Sequence, residues 1–251
     1  MILKWMGLHP GLPQNKLDLT GKNALIITTS QAVLLPTKAN TGVYASELTH
    51  AYYEFLDCGM TVDLASIKGG EIPIEPFSLR WPLCTFDDKR MKKDKVFLDK
   101  IRHSLPIEDL KPERYDLVYI AGGWGASYDM PASETLGELI SNFYSSNKPI
   151  GAVCHGPLGL LKAKKSDGTA LVKGLKLTAV TNKQLKELFA KKTPVHPETA
   201  LISAGAIYQS KKGVFDVLQN HIETSGKIVT GQNQNDSAKV ARTLIEMSYS
   251  G

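Results

Sequence analysis

Cys154 stands in the run KPIGAVCHGPLGLLK, residues 148–162, where a short apolar stretch, Ile150 to Val153, ends in Cys154-His155-Gly156 and a Leu-rich segment follows. The local pattern Ala152-Val153-Cys154-His155-Gly156 places small residues two before and two after the cysteine. A strand that turns sharply into a helix at a nucleophile needs that spacing, because bulky neighbours would collide in the turn. A helix starting there offers unpaired N–H groups and the positive end of its dipole. A free thiol titrates at about 8.5, and a helix N-terminus lowers that to about 3.5–7.5. The sequence therefore predicts a reactive thiolate at Cys154, with His155 beside it. Cys58 and Cys84 read as small buried hydrophobes.

Two other places offer groups to that sulfur. In an open parallel sheet, ligands sit at the carboxyl ends of the strands. One loop leads from such an end into a helix carrying Glu47 and His50, which lie three apart and share a helix face. Another is Gly122-Gly123-Trp124-Gly125, whose small residues let backbone N–H groups approach a ligand closely. Taken alone, Glu47 reads as a solvated helix residue and His50 as a packed or surface one. The glycine loop is no phosphate cradle, since it lacks GK[ST] and GxGxxG. His9, His50, His103, His155, His196 and His221 show no paired spacing, so neither a metal nor any other cofactor is expected.

The elements that must position these groups follow from hydrophobic patterning. Asn23 to Ser30, Met60 to Ser66, Tyr115 to Ala121 and Ile150 to Val153 are apolar, β-rich runs of the kind buried on both faces of a parallel sheet. A helix opens at Thr41-Gly42, with Thr41 as N-cap, and ends near Asp57 with Gly59 as the stop. The chain thus begins β-α-β, the unit of a parallel α/β sheet. From Lys68 to about Arg114 five prolines and a charge-rich, weakly helical stretch mark an excursion from the core, read as a flap beside the site. Further helices are expected over Glu134 to Ser145, Asn182 to Lys191 and Ala238 to Tyr249. Strands are expected at Leu175 to Val180, Gly205 to Gln209 and Lys227 to Thr230. Residues 1–21 read as an irregular lead-in, and no repeat divides the 251 residues, so one domain is expected.

Composition narrows the function classes. The net charge is +5, but the lysines are scattered without interleaved aromatics, so no nucleic-acid groove is expected. Three cysteines, an odd number with no regular spacing, argue against a disulfide framework and for a reducing, cytoplasmic setting. No apolar run approaches the length of a membrane span, and the N-terminus does not read as a signal peptide.

The segments TGVYASELTHAYYEFLDCGMTVDLASIKGG, YDLVYIAGGWGASYDM, IGAVCHGPLGLL and IVTGQNQNDSAKVA, in that order, carry a resemblance to a known family. The chain resembles the ThiJ/PfpI superfamily (the DJ-one family), and within it the heat-shock-protein-31-like, glyoxalase III-type branch. The resemblance spans roughly residues 23 to 249. It implies a flavodoxin-like three-layer α/β sandwich related to class I glutamine amidotransferases, often a homodimer. It also implies that Cys154, His155 and Glu47 form the catalytic set. The expected activity is conversion of methylglyoxal, or a related small aldehyde, to a 2-hydroxy acid without glutathione. Cys154 would form a hemithioacetal, either Glu47 or His155 would move the proton, and the Gly122-Gly123-Trp124 loop would bind substrate, with N–H groups of Gly123 and His155 on the oxyanion.

Two departures accompany the match. The branch reads GGHG where this chain has Trp124. The turn after Val180, where relatives carry an acid that orients the histidine, reads Thr181-Asn182-Lys183-Gln184-Leu185, with Glu187 too late. A complete Cys-His-acid triad is therefore not expected. The alternatives are a stress-related holding chaperone that binds unfolded client proteins, its cysteine idle or an oxidation sensor, and, last, a cysteine peptidase or amidase.

Overall fold

The computed structural model describes residues 17–35, 37–188 and 193–249. The expected lead-in falls mostly outside these residues, as do His9 and the end of the helix expected to reach Lys191.

Seven strands form the central sheet: β1 (Asn23–Thr28), β2 (Thr61–Ser66), β3 (Leu105–Pro106), β4 (Leu117–Ile120), β5 (Ile150–Val153), β6 (Ile222–Ser225) and β7 (Ile228–Gly231). Their order is β6-β7-β5-β4-β1-β2-β3, with every pair parallel except β6 against β7. Alternating side chains of the central strands feed two separate cores. Ala24, Ile26, Leu117, Tyr119 and Val153 pack on one face, while Leu25, Ile27, Val118, Ile120 and Ala152 pack on the other. This period-2 division of an almost wholly apolar run is what burial on both faces requires.

Helices supply the outer layers. α1 (Ala45–Asp57) and α3 (Ser237–Tyr249) cover the first face, through residues such as Leu48, Phe55, Val240 and Leu244. α2 (Glu134–Ser145) covers the second with Leu136, Ile140 and Phe143. The result is the expected three-layer α/β sandwich.

Several boundaries differ from the sequence expectations, each for a local reason. α1 starts three residues late, capped by the backbone of Tyr44, because the Thr41 hydroxyl instead donates to Glu75 at 2.8 Å. The segment after Cys154 is a short 3₁₀ stretch, Gly156–Leu160, rather than a full helix. Leu175 to Val180 contributes only Lys176–Leu177, paired with Ile207–Tyr208 outside the main sheet.

The excursion is only partly a flap. Its helix Lys95–Arg102 is pinned to α1 by Phe97, whose ring lies 4.5 Å from that of Tyr52. Asp88 is buried and accepts a 2.7 Å hydrogen bond from Thr49 of α1. The excursion also supplies the edge strand β3. Only the stretch around Phe77 to Leu83 lies beside the site.

Candidate active site

Cys154 follows β5 directly and takes the left-handed conformation, φ 57°. For a non-glycine residue this costs on the order of 1–3 kcal/mol, and the surroundings hold it there. Its N–H donates to the Gly231 carbonyl at 3.0 Å, and its carbonyl accepts from the Val180 N–H at 3.1 Å. Gly156 completes the turn, since a Cβ at that position would sit 2.3 Å from the Ile120 carbonyl oxygen. The sharp turn predicted from the small-residue spacing is therefore present.

Glu47 reaches the sulfur from the first turn of α1. It is fully buried, and its Oε2 accepts the Gly122 N–H at 2.7 Å. Gly122 must lack a side chain, because a Cβ there would lie 2.8 Å from that oxygen and 2.6 Å from the His155 nitrogen. Burial pushes the Glu47 carboxyl up to about 8, against the Gly122 N–H and a hydrogen bond with Cys154, which favour its charged form. Glu47 is thus a buried group, not the solvated helix residue that its sequence position alone would suggest.

The thiol differs from the sequence expectation in the opposite sense. Burial comes first and the Glu47 carboxylate second, and together they push Cys154 well above its ordinary range. The N–H groups of Gly123 and His155 pull it down but do not prevail. A single 3₁₀ stretch supplies a weaker N-terminal dipole than a full helix, and burial of the sulfur outweighs it. The thiol and the carboxyl thus compete for negative charge.

His155 is buried, with Nδ1 3.4 Å from the Cys154 sulfur. Burial first, and then His196, lower its basicity to about 3, so the ring is neutral. Among the described residues its Nε2 has no hydrogen-bond partner. The candidates for an orienting acid are engaged elsewhere. Gln184 Oε1 accepts the Thr181 N–H in a capping box, and Glu187 accepts the N–H groups of Asp216 and Val217. Neither of them is hydrogen-bonded to His155.

His50 lies on the buried face of α1 but is directed at Asp87, 3.9 Å away. Cys58 is buried and Cys84 only half-buried. Among the described residues no group of three or more His, Cys, Asp or Glu side chains is arranged to hold a metal, and no helix is long and apolar enough to cross a membrane.

A cavity of about 350 Å³ opens onto Cys154 and His155. Of the three residues in the glycine-loop reading, Gly122 does not line it, whereas Gly123 and Trp124 do. So do residues that the sequence did not single out: Tyr44, Phe77, Trp81, Leu83, Val217, Leu218 and Gln234 among them. Tyr44 alone carried a local signal, its place just ahead of α1. The others converge from loops far apart in sequence, which no spacing rule detects.

The chain is similar to the glutathione-independent glyoxalase hsp3101 of Schizosaccharomyces pombe, 26% identical over 92% of this chain and 97% of that protein. Among solved structures it is similar to the rapid encystment protein 24 kDa of Francisella tularensis, with TM-score 0.84 and 30% identity. That match covers 91% of this chain and 99% of the other. Glyoxalase III from Candida albicans aligns with TM-score 0.78 at 25% identity, covering 90% of this chain and 96% of that one. The sequence model of the DJ-1/PfpI family matches residues 32–247. With its elbow cysteine, buried glutamate and parallel sheet, the chain belongs to the DJ-1/PfpI family.

Proposed function

We propose that the protein is a glutathione-independent glyoxalase that converts 2-oxoaldehydes to 2-hydroxy acids at Cys154. One observation carries this reading: Cys154, held in a sharp turn against the buried Glu47 carboxyl, opens onto a cavity. The relatives named as glyoxalases support it.

In this mechanism the Glu47 carboxylate takes the thiol proton as the sulfur bonds to the aldehyde carbon. The carbonyl electron pair moves to oxygen, where the Gly123 and His155 N–H groups support the charge until Glu47 returns the proton. Glu47, again a carboxylate, removes the hydrogen on the sulfur-bearing carbon, and that electron pair forms the enediol. Reprotonation at the neighbouring carbon gives a 2-hydroxy thioester. Water adds to the thioester, the carbon–sulfur bond breaks, and the sulfur regains its proton. One water is consumed, and oxidation of the aldehyde carbon balances reduction of the ketone.

Between the two bases the sequence leaves open, this reading assigns Glu47. A proton carrier works best when it titrates near the working pH, which a group at about 8 does and one at about 3 does not. His155 then serves as a neutral wall beside the sulfur. The test is lactate formation from methylglyoxal in the absence of glutathione, by wild type and by Cys154→Ala. Lactate from wild type alone supports the proposal, and equal rates in the two defeat it.

A second reading, retention of unfolded client proteins, is favoured by exposed apolar side chains at Trp81, Phe86, Val214 and Phe215. Suppression of client aggregation that survives Cys154→Ala would separate this property from the enzyme.

A further inference from the structure

The cavity over Cys154 is much larger than a three-carbon oxoaldehyde needs. Its volume, about 350 Å³, falls within the range of roughly 300–1,000 Å³ typical of sites that enclose drug-sized ligands. Its wall is apolar beyond the reacting groups. Trp124 belongs to the glycine loop and Val180 lies behind the elbow, while Trp81 and Leu83 come from one stretch of the excursion and Leu218 from a distant segment. Trp81 is 88% exposed, so it marks the side open to solvent. The polar lining consists of Tyr44, His155 and Gln234, and among the described residues no lysine, arginine or carboxylate lines the space. Among the described residues such a wall offers no countercharge to a phosphate or a carboxylate and few partners to a polyhydroxylated chain, whose desolvation would go largely uncompensated. It offers buried contact to a hydrocarbon or aromatic group attached to the ketone carbon.

We infer that the site selects 2-oxoaldehydes carrying a bulky apolar substituent, of the phenyl or branched-alkyl class, over methylglyoxal. The inference rests on the glyoxalase reading and names the substrate class of that site. Each buried methylene contributes about 0.8 kcal/mol, a factor of about four. An isobutyl or phenyl group seated against Trp124 and Leu218 should therefore raise kcat/KM about 10- to 100-fold.

The experiment compares initial rates on methylglyoxal, isobutylglyoxal and phenylglyoxal. Each rate is normalised to the compound's hemithioacetal formation with a free alkanethiol, which removes differences in electrophilicity. The expected result is a normalised kcat/KM at least tenfold higher for both bulky compounds, expressed mainly in KM. Leu218→Asn should reduce that ratio three- to tenfold, whereas a purely structural loss would lower all three rates alike and leave the ratio unchanged. Turnover of methylglyoxal with equal or lower constants for the bulky compounds overturns the inference and leaves the glyoxalase reading standing. An unchanged ratio in Leu218→Asn overturns the role assigned to that wall. No turnover of any of the three defeats the glyoxalase reading, and the inference with it.

Discussion

The two sides of the Cys154 sulfur are built differently. On one side Glu47 arrives from α1, is fixed by the Gly122 N–H at 2.7 Å, and shares its charge with the thiol. On the other, the His155 ring stands 3.4 Å from the sulfur with a neutral imidazole and no hydrogen-bond partner at Nε2 among the described residues. A triad would place its proton traffic on the histidine side, held by an acid. Of these two groups the carboxyl is the one that titrates near neutrality, so proton movement is assigned to Glu47.

The sharpest break of this asymmetry is loss of the nucleophile itself. Cys154→Ala should lower lactate formation at least 10³-fold, since no other group at the site forms the hemithioacetal. Glu47→Gln keeps the shape and removes the base, and should cost about 10²- to 10⁴-fold in kcat. His155→Gln should cost about tenfold or less in the same assay. If instead the histidine variant lost more than the glutamate variant, the two sides would have to be exchanged.

The pH profile tests the same assignment more gently. Below about 8, Glu47 is protonated and accepts nothing, so kcat/KM should rise about tenfold per pH unit and level off above that value. Stability should run the other way. The folded carboxyl holds its proton to about 8, whereas the unfolded one releases it near its ordinary value of 4.5. The folded state therefore binds more protons across that window, and stability falls as pH rises through it. Thermal melts of Glu47→Gln should lack this part of the slope.

The smallest expected effect concerns the turn after Val180. Gln184→Ala removes the capping-box contact to Thr181 and should cost about 1 kcal/mol of stability, with activity within about threefold of wild type. A large loss of activity at unchanged stability would show that Gln184 acts on the histidine.

Much of this was legible in the residues. The central strands read as continuous apolar runs because both faces are buried, and the elbow showed itself in Ala152 and Gly156, which the turn needs small. Glu47 was a candidate by its place after a strand end, but its role came only through the resemblance, since a carboxylate in a helix looks solvated until the fold buries it. The thiol's titration was misread because a helix dipole can be inferred from a local pattern, while burial and a carboxylate from a distant helix cannot. The cavity wall was mostly invisible for a similar reason: Trp81, Leu218 and Gln234 meet only in three dimensions. The excursion's looseness was overstated because Phe97 and Asp88 find their partners on α1, far away in sequence.

The coupling of sulfur and carboxyl is tested most directly by the rate of Cys154 alkylation with iodoacetamide as a function of pH, in wild type and in Glu47→Gln. The predicted wild-type profile has its midpoint above the ordinary thiol value, and the variant's midpoint lies lower because the competing negative charge is gone. A wild-type midpoint at or below neutrality, or a midpoint unmoved by the substitution, would contradict the account.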